Sequence, residues 1–337
     1  MPGSAPRPTA ESDNSVRRRK WTWKTAARVV VIGLVVWGIW HTIHDARAKF
    51  DSHEFRLRDI RWLWIPLAMT AYAAAMLPMA AFWHRVLRRM GQRPRWWESL
   101  SAYCVGQLGK YVPGKAMVVI LRSTLVRSER VDGVAAVISI FVETLTMMAL
   151  GALTAAAILV FVAPNGWLLL LSAGLMLASG LPVLPPVMRR VLWILRLRKL
   201  GVPVHDLLRG LTMRGLAPGW LGVLGSWWLM GLSLWAVIQA MPQSPSAAAS
   251  LFDWPLLTAC TALALVAGFV SLLPGGVLVR EYVVMALLAS QPQYGPLIAI
   301  VSAVLLRLTW MATEIVAAAI GYPLLKRRRS SRQEVDR

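Results

Sequence analysis

The sequence predicts an all-α polytopic membrane protein, with six full spans and two re-entrant helical hairpins related as an inverted-topology repeat. Three observations carry this. First, 57% of the 337 residues are hydrophobic and mean hydropathy is +0.54, because windows of about 20 residues recur with at most one charge. A helix rises about 1.5 Å per residue, so roughly 20 residues cross a hydrocarbon core of about 30 Å, and soluble domains do not repeat such runs. Second, Lys and Arg cluster in alternate connections, as the positive-inside rule expects. Third, two apolar stretches are interrupted by Pro-Gly, in "YVPGK" at 111–115 and "LLPGGVLVRE" at 272–281.

Residues 1–26 form a polar, Pro- and Ser-containing basic tail that is expected to be disordered. The membrane domain is expected over 27–325, followed by a basic tail at 326–337. The "RRRK" at 17–20 precedes an apolar run that ends in "WHTIHDARAKF", without the small-residue site of a cleaved signal. The first span is therefore expected to be retained, with the N-terminus in the cytoplasm. Spans are expected at 27–43, 63–84, 133–162, 167–188, 218–240 and 296–324.

Five Arg lie in 85–95, six Arg and one Lys lie in 189–214, and the tail reads "KRRRSSR". These face the cytoplasm by the positive-inside rule, whereas 163–167 and 241–254 carry no Lys or Arg and face outward. The exception is 44–61, with five basic and four acidic residues, which is expected to lie in the interface. This sidedness puts the chain in the cytoplasmic membrane with both termini inside. It also makes 99–126 and 255–290 leave and rejoin the same side, as hairpins turning at Pro113-Gly114 and Pro274-Gly275-Gly276. They enter from opposite faces, each between two spans, which is the layout of an inverted repeat with broken helices meeting near the midplane.

The formal charge of +21 does not point to nucleic acid, because the basic residues flank the spans. Cys104 and Cys260 lie in apolar stretches without metal-ligand spacing and read as buried small residues. No HExxH, GxSxG, Walker motif or Mg²⁺-type carboxylate cluster is present, so no enzyme, cofactor or metal is expected. Most of the 17 Trp read as interfacial anchors.

The polar residues in the apolar stretches carry the chemistry. A helix starting after Gly275 and Gly276 presents its positive end to an anion, and Arg280 offers a two-pronged phosphate contact. Glu281 either holds Arg280 or carries a proton. Lys110 and Lys115 bracket the first turn and Arg122 follows; the lysines either bind phosphate or snorkel to headgroups. Glu143, Arg307 and Glu314 lie inside spans. Each would cost roughly 2.5–3.5 kcal/mol at the bilayer centre and must find an interior partner. A structural pair such as Glu143 with Arg307 is one account; a polar pathway, with the carboxylates as counter-charges or proton carriers, is the other.

"GQLGKYVPGK" followed by Arg122, and "LLPGGVLVRE", resemble the flippase-like membrane domain of the lysylphosphatidylglycerol synthase family over about 27–325. Relatives tend to read Pro-Gly-Gly-x-Gly-x-Arg-Glu, which maps onto Pro274, Gly275, Gly276, Arg280 and Glu281. Leu278 stands here where that pattern has Gly, and Lys115 stands where a second Gly is common. The chain ends about a dozen residues after its last span, so the resemblance implies lipid translocation without aminoacyl transfer. The expected partner is an anionic phospholipid or a polyprenyl-phosphate-linked lipid, with Lys110, Lys115, Arg122, Arg280 and Arg307 on its phosphate. The alternative is an accessory that scaffolds a membrane glycosyltransferase without transporting anything.

Overall fold

The computed structural model describes residues 60–111, 117–162, 204–241, 250–271, 276, 278–289, 291 and 293–335, with isolated positions between 184 and 190. The spans expected at 27–43 and 167–188 lie outside these residues but for those isolated positions, as do Pro113, Gly114, Lys115, Pro274 and Gly275.

The chain is an all-helical multi-pass membrane protein. In order, the helices are α1 (Trp64–Arg89), α2 (Trp96–Gln107), a 3-10 turn (Leu108–Tyr111), α3 (Met117–Val126) and α4 (Gly133–Val162). There follow the short α5 (Val204–Arg209), α6 (Met213–Gln239), a 3-10 turn (Leu251–Asp253), α7 (Trp254–Val270), α8 (Val279–Ala289) and α9 (Gly295–Val335). Among the described residues, five stretches are long and apolar enough to cross a membrane: Trp64–Arg89, Gly133–Phe161, Met213–Gln239, Leu251–Val270 and Ile298–Leu325.

The fourth of these coincides with the first limb expected for the hairpin at 255–290. Its start is fixed by Ser250, whose hydroxyl accepts from the Phe252 amide while Asp253 accepts from the Ser250 amide, and Pro255 occupies the first turn. The helix therefore begins earlier and reaches 20 residues with its 3-10 lead-in. Two span boundaries also shift. α1 continues past residue 84 because Arg88 and Arg89 suit the negative end of the helix dipole. α6 starts at Met213 because the Thr212 hydroxyl caps the Gly215 amide.

Hydrogen bonds fix how the elements run. α1 and α6 lie antiparallel and are pinned at both ends: the Arg61 amide donates to the Ala240 carbonyl at 2.8 Å, and Arg85 Nε donates to the Gly215 carbonyl at 2.8 Å. The turn before α2 joins the turn after α3, through the Arg93 amide to the Arg130 carbonyl (3.0 Å) and the Asp132 amide to Gln92 Oε1 (2.8 Å). At the opposite end, Trp235 Nε1 donates to the Ser250 carbonyl, and Gln293 Nε2 reaches Asp253 Oδ1. There Ile298 and Val301 of α9 pack on Ile60, Ala240 and Met241.

The core forms where α1 packs on α6, α2 on α9, and α7 on both α4 and α6. Small residues permit close approach, as membrane helices require in the absence of a hydrophobic drive between them. A Cβ on Gly231 of α6 would lie 2.7 Å from Thr258 Cα of α7. Buried indoles add polar ties: Trp83 Nε1 donates to Ser139 Oγ (2.9 Å) and Trp310 Nε1 to Ser233 Oγ (3.0 Å), whose hydroxyl in turn donates to the Ala68 carbonyl. Here the expectation that Trp residues are anchors needs correcting. Trp62 and Trp97 are exposed near helix ends as a belt requires, but Trp83, Trp227 and Trp310 are core residues.

Candidate functional site

Every intramembrane charge that the sequence singled out, within the described residues, has a place in one of two polar centres. The first is a buried ion pair set between aromatic rings. Arg122 of α3 is 2% exposed and donates through Nη1 to Glu143 Oε2 of α4 at 2.9 Å. Its guanidinium lies between the rings of Trp83 and Tyr103, 4.4 and 4.3 Å from their centroids. The other two nitrogens, Nε and Nη2, meet no acceptor among the described residues, so the electron-rich ring faces take that place. Its aliphatic stem fits over Gly106, where any Cβ would collide with it. Neither Arg122 nor Glu143 is among the residues that line the second centre. The pairing of Glu143 with Arg307 is also corrected, since each has a nearer partner.

The second centre is a cleft with a cavity volume of about 30 Å³. That is room for about two waters. α7 contributes Thr261, Ala264 and Leu265, and α8 contributes Arg280, Glu281 and Val284. α9 contributes Arg307, Trp310 and Glu314 among others, and the 3-10 turn after α2 contributes Lys110 and Tyr111. Arg307, Trp310 and Glu314 share one helical face by their spacing of three, four and seven residues.

Two ion pairs cross the cleft. Arg307 of α9 donates to Glu281 Oε1 of α8. Neighbouring residues on a helix point about 100° apart, so Glu281 faces α9 while Arg280 turns back towards α7. The Arg280 stem lies over Gly268 and Gly276, and its guanidinium is 5.4 Å from the Trp310 ring centroid. A Cβ on Gly276, whose φ is +63°, would lie 2.8 Å from Gly268 Cα. Bare backbone at both positions is what lets the arginine lie flat here.

The second pair joins Lys110 to Glu314, whose carboxylate is fully buried. Tyr72 of α1 also donates to Glu314 Oε1, and Tyr111 donates to Oε2 at 2.8 Å. Tyr72 is held in turn by stacking on Trp310, with ring centroids 4.4 Å apart and planes 6° from parallel.

Tyr72, Tyr111 and Trp310 were missed in the sequence. A signal existed for two of them: Tyr111 lies inside "GKYVPG", and Trp310 lies between Arg307 and Glu314 on the same face. Tyr72 had only the weaker mark of a phenol within an Ala-rich span.

Leu278 has φ +71°, the left-handed region that favours glycine. That conformation costs an L-residue roughly 1–2 kcal/mol, while the extra unfolded-state freedom of glycine takes back about 0.4–1 kcal/mol. Leu278→Gly is therefore expected to keep or raise the thermal stability of the detergent-solubilised protein. Leu278→Ala, which retains the strain and loses the half-buried side chain, should lower it. Both variants lose that side chain, so L278G melting below L278A would show that the left-handed conformation carries no such strain, and both melting well below wild type would show that packing outweighs the backbone term.

Over residues 25–318 the sequence matches the transmembrane region of lysylphosphatidylglycerol synthase. The chain belongs to this family. The match takes in every residue that lines the cleft, and it ties this member of the lysylphosphatidylglycerol synthase transmembrane family to a membrane lipid-related function. No curated protein matches the sequence.

Proposed function

We propose that this chain is a lipid translocase of the cytoplasmic membrane that holds the phosphate of an anionic phospholipid or a polyprenyl-phosphate-linked lipid between two re-entrant hairpins. One observation carries the reading: residues beside both Pro-Gly breaks line a single interior cleft. Lys110 and Tyr111 come just before Pro113-Gly114, and Arg280 and Glu281 come just after Pro274-Gly275-Gly276. Irregular backbone at membrane depth is tolerated where protein or a water-filled cavity satisfies its polar groups. The cleft lining carries three cations against two carboxylates, a balance that suits an anion. Lys110, Arg280 and Arg307 are its phosphate partners in this reading, while Arg122 serves the scaffold.

The packing supports the inverted repeat. Exchanging α1–α4 with α6–α9 maps the α1–α6 contact onto itself and the α2–α9 contact onto α7–α4. Each broken element also uses the same device, a glycine late in its first limb under the stem of an arginine in its second: Gly106 under Arg122, and Gly268 under Arg280. The Arg-rich end of α1 faces the cytoplasm by the positive-inside rule, which puts both termini there.

The test is reconstitution of the purified protein in liposomes containing a fluorescent anionic phospholipid, with an impermeant quencher added outside. Translocation is expected to expose the inner-leaflet label. Signal no different from protein-free liposomes, with a membrane glycosyltransferase recovered on pull-down, would replace this reading by the accessory one.

A further inference from the structure

We infer that Glu314 is an internal stand-in for the substrate anion: its carboxylate occupies the donors that a lipid phosphate must take, and its displacement sets which lipids the cleft accepts. This rests on the translocase reading above and adds to it a competitor and a charge requirement.

Three donors from two separate elements converge on the Glu314 carboxylate. Lys110 and Tyr72 donate to Oε1 and Tyr111 donates to Oε2. A cation and two phenol hydroxyls around one oxyanion are the same donors that would bind a phosphate oxygen. The site is thus an anion site already filled by the chain itself. Glu314 is fully buried, whereas the Lys110 side chain is 20% exposed at the cleft.

The donors differ in freedom. Tyr72 is buried and stacked on Trp310, in the middle of α1, so it stays with Glu314. Lys110 and Tyr111 sit on the 3-10 turn that leads into Pro113-Gly114. They are the pair able to turn from Glu314 to an incoming ligand, and Tyr72 then keeps the carboxylate in place.

The competition selects by charge. A neutral hydroxyl or sugar cannot draw Lys110 from a carboxylate in a low-dielectric interior, because it offers no full charge in exchange. A phosphodiester does. The accepted class is therefore lipids with a full negative charge at the headgroup, and neutral glycolipids or diacylglycerols are rejected even with identical tails.

The test compares dihexanoyl phosphatidylglycerol with dihexanoylglycerol, which lacks the phosphate, on wild type, Glu314→Gln and Glu314→Gln/Lys110→Met in detergent. Wild type should bind the phosphate lipid and not the neutral one. E314Q removes the competing charge and should bind the phosphate lipid more tightly, by about tenfold or more. The double variant should lose that gain while melting no lower than E314Q, which separates a binding effect from misfolding. Wild-type binding of the phosphate lipid with E314Q equal or weaker overturns the inference and leaves the translocase reading standing. Absence of phosphate-lipid binding in both wild type and E314Q overturns the two together, and equal binding of the neutral lipid overturns the charge requirement.

Discussion

Arg122→Ala is expected to lower the stability of the protein by about 3–5 kcal/mol, the usual consequence of stranding one member of a buried ion pair. Glu143 would keep only the Thr144 hydroxyl at 3.3 Å among the partners described for it. The rings of Trp83 and Tyr103 would lose the cation between them, and a cavity would open over Gly106. Arg122→Lys should fall in between, since an ammonium retains the charge but cannot fill a planar slot between two rings. Arg122→Leu with Glu143→Leu should recover most of the loss, because removing both charges removes the penalty of burying either. Thermal unfolding in detergent checks the series, with phosphate-lipid binding measured alongside. If the double variant regains stability and still binds lipid, the pair is scaffold. If it is stable but no longer binds, Arg122 belongs to the binding machinery after all.

The assignment of Arg122 illustrates where sequence reasoning stops. Pattern and charge located the residue beyond the first Pro-Gly turn and put it among the lipid-phosphate partners. They did not offer Glu143 as its partner, because that contact depends on which way α3 faces, and α3 is mostly apolar. Glu281 was legible as a membrane charge, read either as a holder of Arg280 or as a proton carrier; its ion pair with Arg307 was not legible, because it depends on how α8 packs on α9. The shared face of Arg307 and Glu314 was readable because seven residues make about two turns. Tyr72 was not, since its role comes from a helix 242 residues away in sequence. The long helices were readable from hydropathy alone, whereas the start of α7 was set by a local cap at Ser250 that the hydropathy pattern did not weigh.

Arg280→Ala is expected to weaken phosphate-lipid binding by about 1.5–3 kcal/mol, roughly ten- to 150-fold in Kd, the range for a hydrogen bond to a charged group. Arg280→Lys should lose part of this, keeping the charge without the planar two-pronged contact. The effect on folding should be small beside that of Arg122→Ala. Glu281 keeps Arg307 as its partner when Arg280 is removed, so no carboxylate of the cleft is stranded. Arg280 is also less deeply placed, lining the cleft with its guanidinium over Trp310 while Arg122 is enclosed between two rings. The variants thus separate the two arginines that similar Gly-Arg packing makes look equivalent. Titration of dihexanoyl phosphatidylglycerol against each detergent-solubilised variant, beside its melting temperature, reads both effects. Loss of binding with a near-wild-type melting temperature places Arg280 on the phosphate. A large drop in melting temperature with binding retained in the surviving fold would instead make Arg280 a packing residue, and leave Lys110 and Arg307 to hold the anion.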